Sequence, residues 1–432
     1  MGSRFSVAML ATKMMAVFAL SFALALQIEL AVRTFAGEVY RHSGVLVGKE
    51  GDLRYSRWLF DKASSWNPHD YRTQKSLGDA CRAMEDYPNA VKSLSASVRL
   101  APNDVLALLD LAIASALSGD HAAARDVLQR ARDLVPGYWR VYETGGIVEG
   151  LAGNHAAAMS EFEKALSFKD VNRASILKQL AIACVNLKNL TKAIEYASEA
   201  VQLEPDVAQA HLLQARIFFA LNRTQDAIRA GSKCLDLLRD PSQLKPNDRT
   251  TLADAHAVLC EAYLSEGRFV ESSQSLLTAA QLNSSSSEAK KTALKLLELT
   301  RDNASLAADD RFGLCLLNLG AALANLGELE LACGVLARAM PALSPQGQTA
   351  CGLIRGRALA QLGRLQEAED VLRLTRNANA NVPDLRFALA QVLAKNGKTE
   401  EARAECQSIL STFSLNDGER QRIQKTIDDL PR

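Results

Sequence analysis

The sequence predicts an all-α protein: a solenoid of about ten two-helix units preceded by one apolar helix. Three observations predict it. Ala and Leu dominate a chain of 432 residues in which apolar types reach 48% and aromatics only 6%, a composition suited to close-packed helices. Several series of small residues and prolines recur with a common period of 34. Ahead of the first series lies an uncharged run of 15 residues between Lys13 and Glu29.

The apolar stretch comes first. Fifteen residues make roughly 22 Å of helix, whereas a bilayer core of about 30 Å usually takes about 20 residues. Extended back to Phe5, the run is long enough if Lys13 snorkels towards the headgroups. Arg4 and Lys13 are basic, and no acidic residue precedes Glu29. The N-terminus is therefore expected to stay inside, with the repeats on the extracytoplasmic side. The competing expectation is a cleaved signal, because Ala23 to Ala25 has the small-x-small form that signal peptidases accept and "TFA" ending at Ala36 offers a second site. A secreted or periplasmic protein would result. A third reading makes the stretch a soluble amphipathic helix that caps the array.

The repeats follow. Pro68, Pro102 and Pro136 are each 34 residues apart, and so are Gly44, Gly78, Ala112 and Gly146. Ala90, Ala124 and Ala158 share the period, as do Ala63, Ser97, Ala131 and Ala165. Periods of this size mark arrays. Each unit reads as two amphipathic helices. In one, "NDVLALLDLAIASALSG" has helical apolar spacing and stops at Gly119, which suits a left-handed helix end. Asp120 then supplies a capping oxygen for "HAAARDVLQRARDLV". Small residues belong where paired helices approach closely, and each proline is expected to open the next unit, where a missing N–H is harmless.

This pattern resembles the tetratricopeptide repeat family. The resemblance is carried by Gly78, Ala90, Ser97 and Pro102, then by Ala112, Ala124, Ala131 and Pro136. It continues through Ala181, Ala193, Ala200 and Pro205 and through Ala215, Ala227 and Cys234. Near the C-terminus Gly320, Ala332 and Ala339, Gly356 and Ala368, and Ala390 and Ala402 keep the spacing. It implies a right-handed α-solenoid with an inner groove. The expected organisation is a signal anchor or signal peptide over 1–36, six units over 37–240 and one irregular unit with long connections over 241–312. Three more units follow over 313–416, and a polar capping helix over 417–432. The irregularity rests on "RDPSQLKPNDR" from Arg239 and on a serine-rich stretch from Asn283 that holds a lone helix.

No catalytic chemistry is legible. The chain has no nucleophile elbow, zinc-protease motif, phosphate loop or dinucleotide fingerprint. Eight cysteines lack metal spacing and read as small buried residues. His121 and His155 start equivalent second helices without a third ligand. A net charge of +1 argues against a nucleic-acid partner. The expectation is no enzyme, no cofactor, no metal and no small-molecule substrate.

What remains is surface. By the resemblance, first-helix residues at i, i+3, i+7 and i+10 line the groove. That assigns Arg72, Lys75 and Arg82 to a basic end, interrupted by Asp79, and Leu106, Leu109 and Ile113 to an apolar middle, continued by Ile147, Ile182, Leu212 and Phe219. In the family's best-known groove, Lys, Arg and Asn clamp the acidic C-terminus of heat-shock chaperones. Lys75 and Arg82 match the charges, but Asp79 stands where an Asn is expected. The function expected is therefore a scaffold or adaptor at a membrane or cell envelope, binding a partner's peptide or helix in the groove. An accessory subunit of a secretion or envelope-assembly machinery is the alternative, and an enzyme with a scattered site the third.

Overall fold

The computed structural model describes residues 2–239, 248–302 and 310–430, with the backbone alone for 2–17, 302 and 310. Part of each irregular connection expected from the sequence, 240–247 and 303–309, lies outside the described residues. The chain forms two compact bodies, residues 1–200 and 201–432. Among the described residues every regular element is a helix.

The N-terminal body holds α1 (Gly2–Lys49), α2 (Leu53–Trp66), α3 (Tyr71–Ala83), α4 (Tyr87–Leu100) and α5 (Val105–Leu117). It continues with α6 (His121–Leu134), α7 (Trp139–Leu151), α8 (His155–Leu166) and α9 (Arg173–Asn186), and it ends within α10 (Leu190–Leu203). Successive helices pair as hairpins. At Gly44, Gly78 and Gly146 a first helix faces a large side chain sixteen residues later, which is why a small residue recurs at this place in the period. A Cβ added at Gly44 would lie 2.7 Å from the Phe60 ring, at Gly78 2.5 Å from Leu94, and at Gly146 2.4 Å from Phe162. Such contacts force overpacking worth about 1–3 kcal/mol.

Capping and turns follow the sequence reading, with one difference. Asp70, Asp104 and Asp120 accept backbone N–H bonds at the starts of α3, α5 and α6. Gly119 and Gly153 take φ of +90° and +79° in the turns inside hairpins. Glu85 and Lys188 adopt the same left-handed conformation, φ 60° and 59°, in equivalent turns, at a cost of about 1 kcal/mol each. The periodic prolines do not occupy first helical turns as expected. Pro68 and Pro102 sit two residues before the capping aspartates, in the loops between hairpins. There a fixed φ pre-forms the turn.

The first helix joins two roles. α1 runs without a break from Gly2 to Lys49. Its far end is the first helix of the first hairpin: Ser56 Oγ donates to the Gly44 carbonyl at 2.8 Å, and a Cβ on Gly48 would lie 2.9 Å from that same oxygen. Its near end, residues 18–35, is exposed throughout. Among the described residues it is the helix long and apolar enough to cross a membrane.

The C-terminal body begins with α11 (Ala208–Ala220), α12 (Thr224–Leu237), α13 (Asp248–Ser265) and α14 (Phe269–Leu282). α15 (Ser287–Asp302) is a single helix, and α14 packs on both it and α16 (Asp310–Asn325). Hairpins resume with α16 and α17 (Leu329–Ala339), α18 (Pro345–Gln361) and α19 (Leu365–Ala378), and α20 (Pro383–Lys395) and α21 (Thr399–Thr412). The small-against-large rule holds here too, with Gly320 on Leu336 and Gly356 on Leu372. α22 (Asp417–Asp428) opens with a capping box between Asn416 and Glu419. It buries Ile423 and Ile427 in a cluster with Phe387 and Ile409, so the final hairpin does not end on an open apolar face. All eight cysteines are buried free thiols. Burial pushes Cys260 up to about 12 and Cys234 up to about 11, values at which a thiol is inert.

Candidate partner-binding face

The residues singled out from the sequence fall into three settings. The cations are paired within the fold. Arg72 bonds Glu38 at 2.8 Å and Asp70 at 3.3 Å. Lys75 donates to Asp110 of α5 at 2.5 Å and to Asp79 at 3.2 Å. Arg82 reaches Asp79 at 3.2 Å and Asp110 at 3.7 Å. Lys75, Arg82, Asp79 and Asp110 thus form a quartet with no net charge. Burial and then the Asp79 carboxylate push the Asp110 carboxyl up. Burial opposes the charge on Lys75, but Asp110 and Asp79 outweigh it and hold the ammonium above its usual value. The quartet tightens the packing of α3 on α5, and the expected basic rim is compensated.

The apolar residues divide by burial. Leu109 is only 5% exposed and belongs to the core that includes Leu77, Leu108 and Leu128. In the other body Leu212 is likewise buried, with Cys234 and Ala255, while Phe219 is half-buried. Neither Leu109 nor Leu212 offers side-chain surface to a partner. Leu106 is exposed and Ile113 half-buried.

Ile147 and Ile182 come together. They line one pocket of about 290 Å³ between α7, α8 and α9, whose wall also includes Leu151, Ala158 and Phe162. Gly146 and Gly150, one helical turn apart on α7, keep the wall low. His155, Gln179 and Asn186 bring polar groups to the same pocket. Nearby, Ser175 Oγ donates to Glu143 at 3.4 Å, and burial pushes that carboxyl up. An apolar pocket edged by amide donors and acceptors suits an aliphatic or aromatic side chain whose own backbone needs hydrogen bonds. Sequence reasoning missed the polar members, although Gln179, Ile182 and Asn186 follow one another at the three- and four-residue spacing of a single face of α9. Among the described residues no group of His, Cys, Asp and Glu is arranged to hold a metal.

The fold is that of a helical-repeat protein. Residues 76–138 and 353–416 match the tetratricopeptide repeat family, and residues 176–223 match the Fis1 C-terminal tetratricopeptide repeat. The chain is a tetratricopeptide repeat protein. Among solved structures it is similar to the human IFIT1 dimer with m7Gppp-AAAA, with a TM-score of 0.56 and 18% identity over 71% of each chain. An IFIT1 monomeric mutant with Gppp-AAAA gives a TM-score of 0.55 and 18% identity, over 70% of this chain and 71% of that one. The type IV pilus biogenesis factor PilW gives a TM-score of 0.43 and 16% identity, over 51% and 97%. For the IFIT1 structures, at 18% identity, the likeness is one of fold. No curated protein matches the chain by sequence.

Proposed function

We propose that this chain is a non-catalytic scaffold, tethered to a membrane by α1, that captures a partner protein on the inner helices of its N-terminal body. The repeats lie on the extracytoplasmic side in this reading, as the basic residues Arg4 and Lys13 before the apolar run favour. The observation that carries the capture is the pocket between α7, α8 and α9, where Ile147 and Ile182 meet beside Gln179 and Asn186. It takes an apolar side chain from an amphipathic helix or extended segment, and the amides fix the segment's backbone. A protein partner is favoured over a nucleic acid because the net charge is +1 and the inner cations are spent on Asp79, Asp110, Glu38 and Asp70.

The pocket variant is Ile182→Asp with Leu151→Gln. Ile182 is 43% exposed and Leu151 similarly so, and surface changes of this kind shift stability by about 0.5 kcal/mol or less. Full-length wild type and variant are used for affinity capture from the same detergent extract, with bound proteins quantified by mass spectrometry. The expected result is a defined set of proteins lost from the variant while its melting curve is unchanged. An identical set from both would overturn the pocket as the capture site. Membrane machinery in the lost set, rather than one soluble client, would assign the scaffold to an assembly apparatus.

A further inference from the structure

The exposed residues of α1 carry a pattern that lipid does not require. Phe35 is 73% exposed, Val39 48% and Leu46 50%. With Ile28 and Val32, also exposed, they are spaced 4, 3, 4 and 7 residues apart. At 100° per residue all five fall within about 60° of the helix circumference. Gly37, Gly44 and Gly48, which face α2, lie roughly opposite. Glu38, bonded to Arg72 of α3, and Val45, packed on the core, lie at about 260–280° on the same count. Both neighbours are accounted for, and the stripe has none.

Its spacing is the 3.5-residue seam of a helix pair. A lipid-facing helix is apolar nearly all round, as α1 is between Met14 and Ile28, where Ser21 and Gln27 are the polar residues and none is charged. From Glu29 onwards the other faces turn polar, with Arg33, Thr34, Glu38, Arg41 and Ser43, yet the seam stays apolar for four more turns. His42 at −40° is its one polar member. Val32 and Val39 occupy the positions where β-branched residues favour two strands. In a parallel pair, the acidic flanking residues Glu29 and Glu38 would face Leu24 and Ser43 of the other helix, so no like charges oppose. Inside the apolar run the same seam carries Ser21 and Ala25, a small-xxx-small pair that lets helices approach closely.

We infer that α1 pairs in parallel with α1 of a second copy of this chain, through the seam Ile28, Val32, Phe35, Val39 and Leu46. The inference rests on the reading that α1 is retained as an anchor, which orients both copies alike. The test uses the full chain reconstituted in phosphatidylcholine–phosphatidylglycerol vesicles. Val39→Cys and, as an exposed control, Arg130→Cys are oxidised with copper phenanthroline; the native thiols are buried. A disulfide-linked dimer is expected from Val39→Cys and none from Arg130→Cys. Val39→Glu with Leu46→Glu is expected to give monomers with unchanged helicity. No dimer from Val39→Cys in protein that floats with the vesicles would overturn the pairing and leave the anchor intact. Protein that fails to float would refute the anchor, whatever the cross-link shows.

Discussion

Leu109→Asp is expected to unfold much of the N-terminal body rather than to erase a binding surface. From spacing alone Leu109 belongs to the inner groove, and a charge there would be harmless to stability. In the fold it is 5% exposed and sits in the core with Leu77, Leu108 and Leu128. Substitution removes a buried leucine, worth about 2–5 kcal/mol. It also places a carboxylate in an apolar setting beside Asp110, whose own carboxyl is already pushed up by burial and by Asp79. No cation is free to compensate, because Lys75 and Arg82 are engaged by Asp79 and Asp110. A loss of about 4–5 kcal/mol follows, as large as the stability of many domains. Urea unfolding followed by circular dichroism checks this. A midpoint unchanged from wild type would show that Leu109 faces water.

The second large effect concerns acid. Glu369 in α19 is 2% exposed and accepts from Lys398 at 2.7 Å, Arg373 at 2.8 Å and Asn396 at 2.8 Å. Burial alone would raise its carboxyl, but these three donors reverse that and hold it at about 2, against an ordinary 4.5. A carboxylate held below its unfolded value contributes stability that is present above pH 4.5 and is lost as pH falls towards 2. Two of its partners are partly exposed, which weakens them, so the contribution at neutral pH is about 2 kcal/mol. Glu369→Gln is expected to lose that amount at pH 7 and to show a flatter decline between pH 5 and about pH 3 in urea titrations. Parallel declines for both proteins would assign the acid sensitivity to other groups.

The comparison of Gly78 with Leu109 shows what a sequence can carry. Gly78, Ala90, Ser97 and Pro102 are legible because each answers to the backbone: a close approach, a hairpin contact or a turn admits few residue types at a fixed spacing. The fold is therefore written in small residues. Leu109 and Ile182 are both aliphatic residues on the first helices of hairpins, and spacing alone treats them alike. One is in the core and the other open, because their burial depends on how the next hairpin packs. The charge quartet escapes for the same reason. Lys75 reads as a free cation until α5 places Asp110 2.5 Å away. His155, Gln179 and Asn186 escape because polar residues on solvated helices are ordinary, and only the shared pocket distinguishes them. The stripe on α1 was hidden by the apolar run before it, since continuity of the helix across Gly37 is a property of the fold.

The tether is the premise shared by the scaffold and by the pairing of α1, and one measurement reaches it directly. The intact mass and N-terminal sequence of the mature protein are determined separately from membrane and soluble fractions. A chain in the membrane fraction that retains residues 1–36 is expected. A soluble chain beginning near Leu26 or Gly37 would contradict it, leaving a released repeat protein whose partners are soluble proteins of the exported space.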